Sequence, residues 1–195
     1  MDERAATVLR RLEEEDRRDR ADGTPRERRL RSVTPDVGAF LSLLVKIAGA
    51  RRIIEIGTSG GYSTVWLATA AGETGGHVTT LEIDPAKIGR ARRNLSDAGI
   101  AERVTILEGD AHKTLATLEA PYDLAFLDAE KEAYADFLKP LVKLLRPGGL
   151  LIADNLLSHT EELASFREAA ESHPELECVL VPIQRGELLC RKRSA

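Results

Sequence analysis

From Thr34 onward, short continuous apolar runs alternate with stretches in which apolar residues recur every three or four positions. The continuous runs fall at 52–57, 77–83, 103–107, 122–128 and 150–153, and each is short enough to be a strand buried on both faces. Between them the spacing predicts helices. One runs through Phe40, Leu43, Leu44 and Ile47, a second covers 62–71, and a third reaches about position 98 after Asp84-Pro85, a cap followed by a proline suited to a first turn. A fourth, through Phe137, Leu138, Leu141, Val142 and Leu145, is expected to stop at Pro147-Gly148-Gly149. Near the end, 176–181 and 187–191 read as a hairpin about Arg185-Gly186. Buried strands that trade places with amphipathic helices predict an α/β fold, a parallel sheet covered on both faces.

The first 31 residues differ. They are dense in Arg, Asp and Glu, with Val8, Leu9 and Leu12 at helical spacing, and Asp22-Gly23-Thr24-Pro25 breaks the pattern. A charged helical extension is expected here, lying solvated across the main domain, capping a site, or meeting a second subunit. A length of 195 residues is enough for one sizeable core, so 1–195 is read as a single domain. A charge of -4 with no basic stripe gives no reason to expect nucleic acid, and there is no apolar run of membrane length. Cys178 and Cys190 lack metal-like spacing, and without a signal peptide a reducing cytoplasm is the expected location.

In open α/β sheets ligands bind beyond the carboxyl ends of the strands. Every predicted strand delivers an acid there: Glu55 within the first, Glu82 at the end of the second, Asp110 after the third, Asp128 after the fourth, Asp154 with Asn155 after the fifth. Each of these acids could simply cap the next helix. Asp84 is a better cap than Glu82, which leaves Glu82 to accept ribose hydroxyls, whereas Asp110 suits either role. Glu55 costs several kcal/mol in an apolar strand unless it finds a partner, and a cationic ligand group would be one. The turn after the first strand carries Gly57, Gly60 and Gly61, which lets the backbone bend and approach a ligand closely. Position 59 is serine, not the second glycine of a dinucleotide-binding turn, so an ammonium-bearing ligand suits it better than a diphosphate. The turn alone leaves both open.

Glu-Ile-Gly-Thr-Ser-Gly-Gly-Tyr-Ser at 55–63, Leu-Glu-Ile-Asp at 81–84 and Glu-Gly-Asp-Ala at 108–111 resemble class I methyltransferases that use S-adenosylmethionine. Leu-Asp-Ala-Glu-Lys at 127–131 with Tyr134, and Ala-Asp-Asn at 153–155, resemble the cation-dependent O-methyltransferases that include the catechol and caffeoyl-CoA enzymes. The resemblance implies a Rossmann-like fold, a mostly parallel seven-stranded sheet with an antiparallel C-terminal strand and helices on both faces. It implies that Val33, Glu55, Gly57, Thr58, Ser63, Glu82 and Ala111 contact the methyl donor, with Tyr62, Asp110 and Asp128 in the same pocket. It further implies that Asp128, Asp154 and Asn155 ligate a divalent cation, that Lys131 takes a proton from the substrate hydroxyl, and that the protein is a homodimer. Three hard oxygen donors favour magnesium, manganese or calcium over zinc. A cation there would lower the pKa of a chelated hydroxyl on a catechol-like small molecule, and would favour a neutral, basic Lys131.

The chain departs from that family after Asn155, where a shortened loop runs through His159 almost directly into a helical segment. The expected acceptor site is therefore open, or completed by another element such as the N-terminal helix. His159 and His112 read as surface residues, Trp66 as core, and no aromatic clamp for a ring is evident. A methyltransferase of the same fold acting without metal, and a non-catalytic S-adenosylmethionine-binding module, remain the alternatives.

Overall fold

The computed structural model describes residues 1–194. Its helices are α1 (Glu3–Ala21), α2 (Pro35–Ile47), α3 (Tyr62–Thr74), α4 (Pro85–Asp97), the single turn α5 (Ala111–Thr114), α6 (Tyr134–Leu144) and α7 (Ala164–Glu171). Its strands are β1 (Arg52–Ile56), β2 (His77–Glu82), β3 (Val104–Glu108), β4 (Tyr122–Leu127), β5 (Leu145–Ala153), β6 (Leu176–Val181) and β7 (Glu187–Lys192). They form one seven-stranded sheet in the order β3-β2-β1-β4-β5-β7-β6. The first five are parallel, and β7 runs antiparallel to both β5 and β6. Strand order therefore reverses direction between β1 and β4, the place where such sheets open a crevice for ligands. No helix is long and apolar enough to cross a membrane among the described residues.

Two apolar clusters cover the two faces. Ile53, Leu124 and Ile152 point into one, with α1, α2 and α3; Ile54, Ala125, Leu127 and Leu151 point into the other, with α6 and α7. Successive strand residues thus go to opposite faces and both are buried, which is why the strands read as unbroken apolar runs. Thr34 and Asp84 cap α2 and α4 through Val37 N and Ala86 N, each helix having proline in its first turn.

Three expectations need correction. Strand β5 begins at Leu145, not Leu150: Pro147-Gly148-Gly149 lies within it, next to a register irregularity opposite Tyr122 and Leu124. The second is the orientation of α2. Its buried positions are Val37, Leu41 and Val45, while Leu43 and Ile47 are 57% and 79% exposed. Gly38 sets this orientation, because a Cβ there would lie 2.3 Å from Trp66 Nε1, so only glycine lets α2 sit so closely on α3. Third, α1 is not merely solvated. Ala5, Val8, Leu9 and Leu12 are buried, Arg11 Nη2 donates to Asn94 Oδ1 and Asp97 Oδ2 on α4, and Arg90 of α4 pairs with Glu15. The helix ends at Ala21, and residues 22–34 continue as a strap, with one 3-10 turn at Arg26–Arg28, that lines the crevice at the carboxyl ends of the strands with Arg26, Arg29, Leu30 and Arg31. Cys178 and Cys190, opposite each other on β6 and β7, are paired as a disulfide, which their spacing did not announce.

Candidate active site

A cavity of about 600 Å³ opens at the switch point. Its walls bring together Gly57, Glu82, Asp110, Ala111, Asp128, Lys131 and Asn155 from the ends of five different strands. Val33, Glu55, Thr58, Tyr62, Ser63 and Asp154 stand behind those walls.

The glycine turn is shaped by contact with β4. Gly57 has φ 104°, and a Cβ on it would stand 2.1 Å from the carbonyl oxygen of Asp128. Gly57 N and Thr58 N both donate to Leu81 O, and Gly60 O accepts from Asn94 Nδ2, so the turn is fastened to β2 and α4. Ser59, with φ 47°, gives its N–H to Glu82 Oε2 and its hydroxyl to Leu30 O on the strap. Glu82 Oε1 accepts from Ile83 N and Asp84 N, so the acceptor capacity left for a ligand is on Oε2, which takes one bond. Asp110 does cap its turn, accepting from His112 N, while also facing the cavity. Its hydrogen bond to the His112 ring raises the histidine pKa. Tyr62 Oη donates to Glu13 Oε1, tying α3 to α1.

Glu55 is 0% exposed, and the partners it finds are hydroxyls: Ser63 donates to Oε1, Thr64 and Thr80 to Oε2. Burial pushes its pKa up to about 7, the three hydroxyl bonds opposing the shift. An acid held at 4.5 when unfolded and about 7 when folded gives stability that is full below pH 4.5 and is lost as pH rises through 7. Unfolding titrations of the ligand-free protein should show Glu55→Gln losing less stability than wild type between pH 5 and 8, by up to about 3 kcal/mol. Parallel curves for the two proteins would refute this.

The other end of the cavity is built on three strand ends. Lys131 is 7% exposed, and its Nζ has three partners, Asp128 Oδ1 at 3.1 Å, Ala129 O at 3.0 Å and Tyr134 Oη at 3.1 Å. The Tyr134 hydroxyl, with its pKa raised by complete burial, reaches Leu127 O and Asp154 O and so clamps β4 to β5. Asn155 has φ 76°, a left-handed backbone that asparagine tolerates, and this turns its Nδ2 to Asp128 Oδ1 at 2.9 Å while its N–H meets Asp154 Oδ1 at 2.5 Å.

Glu187 was not anticipated. The register pairs Ala153 with Leu188, so the next residues, Asp154 and Glu187, face each other across β5 and β7. Glu187 is 0% exposed and neither of its oxygens has a hydrogen-bond donor among the described residues. Burial raises the pKa of both acids; the Asp128 charge raises that of Asp154 further and the Asp154 charge that of Glu187, while a hydrogen bond with Glu187 opposes the shift of Asp154. Two buried carboxyls with no donor between them call for a proton or a cation. The hard-oxygen set of Asp128, Asp154 and Asn155 fits a divalent cation in its chemistry. No three His, Cys, Asp or Glu side chains among the described residues converge tightly enough to enclose one by themselves, so the Asn155 amide and water would complete the shell.

A doubly wound sheet with a non-dinucleotide glycine turn at its switch point and a carboxylate-lysine group beside it defines a methyltransferase-type site. Solved structures agree: an O-methyltransferase from Bacillus cereus in complex with SAH superposes with TM-score 0.82 at 29% identity, covering 96% of this chain and 91% of that one. The sequence profile described as O-methyltransferase matches residues 12–193, and the chain belongs to that family. It is similar to catechol O-methyltransferases of Mycobacterium tuberculosis, 44% identical over 71% of this chain, and of Niastella koreensis, 39% identical over 65%. The matches span 63% and 58% of those relatives' lengths, less than two thirds of either.

Proposed function

We propose that the protein transfers the methyl group of S-adenosylmethionine to a hydroxyl of a catechol-like aromatic diol, assisted by a divalent cation, magnesium, manganese or calcium. The observation that carries this is the meeting, in one cavity, of the Gly57 turn and Glu82 with Asp128, Lys131 and Asn155. The turn and Glu82 would receive the donor, with Glu55, Ser63 and Thr58 forming the floor behind them. Asp128, Asp154 and Asn155 would hold the cation, which when bound would acidify a chelated hydroxyl. Lys131 Nζ, which contacts Asp128 Oδ1, would take that proton. The hydroxyl oxygen then forms a bond to the methyl carbon while the carbon–sulfur bond breaks, its electron pair leaving with sulfur. Fixed alignment of oxygen, carbon and sulfur can supply roughly 7 to 11 kcal/mol of the barrier reduction.

Methyl transfer to a vicinal diol should proceed with magnesium and fall to background with EDTA, recovering when the cation is restored. Transfer indifferent to EDTA would leave the donor assignment standing and turn the reading to a metal-free methyltransferase. The same reading includes a homodimer, for which exposed Leu43 and Ile47 on α2 offer an apolar contact. Sedimentation of a monomer at micromolar concentration would exclude it.

A further inference from the structure

The shortened loop after Asn155 leaves the wall of the acceptor end to other parts of the chain, and those parts are rich in arginine. Leu157 N and Ser158 N both donate to Arg185 O, which folds the short loop back onto the hairpin tip and brings Arg185 to the cavity. From the opposite side the strap supplies Arg26, Arg29 and Arg31. Arg31 forms a bidentate pair with Glu130, the residue before Lys131, and Arg26 acts on that same carboxylate. Four guanidinium groups thus share the cavity with two carboxylates at this end, Glu130, taken by Arg31, and Asp128, taken by Lys131 and Asn155, and Arg26, Arg29 and Arg185 have no ion-pair partner among the described residues. The other lining acids, Glu82, Asp84 and Asp110, lie at the donor end and are bonded to backbone N–H groups. In a chain of net charge -4 this concentration of cations is local.

We propose that the methyl acceptor is itself an anion: its hydroxyls face Asp128 and Lys131, and a carboxylate or phosphate on the far side of its ring is received by Arg26, Arg29 and Arg185, beside the Arg31–Glu130 pair. The inference rests on the O-methyl-transfer reading above and names the substrate class within it. Arginine suits this task because its planar fork holds an oxyacid by two parallel hydrogen bonds.

Three probes alike in their diol ring separate the possibilities: 3,4-dihydroxybenzoate, its neutral amide, and 3,4-dihydroxyphenethyl phosphate. Calorimetric binding to the S-adenosylhomocysteine complex in magnesium, alongside kcat/KM for each, reads recognition apart from turnover. One or both anions should bind roughly tenfold more tightly than the amide, and the tighter of the two identifies the acid. In the Arg26→Gln, Arg185→Gln double variant the ratio of anion to amide should fall toward one, with an unchanged circular dichroism spectrum. Equal binding of all three probes, or a ratio that survives in the variant, overturns the inference. Anion-selective binding without any methyl transfer would instead uphold it and sink the catalytic reading.

Discussion

Lys131→Met should lower kcat by a factor of roughly a hundred to ten thousand while leaving the affinity for S-adenosylmethionine close to that of wild type. Methionine keeps much of the aliphatic stem, so the pocket between Asp128, Ala129 and Tyr134 stays filled, but the amine proposed to take the hydroxyl proton is gone. The donor end is built on other elements, the Gly57 turn and Glu82, so calorimetric binding of the donor isolates the chemical step from folding. Turnover within threefold of wild type would remove Lys131 from the mechanism.

Gly57→Ala should be the most damaging single-methyl change at the site. The added carbon would stand 2.1 Å from the Asp128 carbonyl oxygen, against the backbone of Asp128 and Ala129, and φ 104° is one that L side chains rarely adopt. Neither β1 nor β4 can move aside, since each is paired in the interior of the sheet. The loss expected is about 3 kcal/mol or more, seen as a falling midpoint in urea, together with loss of donor binding as the turn is pushed from Leu81. Gly109→Ala is the control: it is also left-handed, at φ 123°, but an added Cβ meets nothing within 4 Å, so strain acts there without collision. Equal losses in the two variants would show that strain alone, not contact with Asp128, decides the result.

What could be read from the sequence follows from where each signal is stored. The five parallel strands are legible because each is buried on both faces and therefore locally apolar. The acids after them are legible because the strand-end rule is topological and needs no coordinates. The buried side of α2 was not, since Phe40, Leu43, Leu44 and Ile47 make as good a stripe as Val37, Leu41 and Val45; the fit of Gly38 against Trp66 makes the choice. Glu187 was hidden for a similar reason. Beside Arg185-Gly186 it looks like one more polar residue at a hairpin tip, and only the pairing of β7 with β5 puts it opposite Asp154. The arginines of the strap look like ordinary surface charge until the strap is seen to cross the cavity.

Among the described residues, four other than glycine hold a left-handed backbone, Arg31, Ser59, Asn155 and Gln184. Three of them line the cavity and the fourth immediately precedes Arg185, which does. Such a conformation costs on the order of 1–3 kcal/mol at each position, more for arginine than for asparagine. Glycine at any of the four would relieve that backbone strain, yet it would also break a fastening: Arg31 to Glu130, Ser59 to Leu30, Asn155 to Asp128, or Gln184 to Asp36. The rim is therefore where an easy backbone and a well-tied pocket pull in opposite directions.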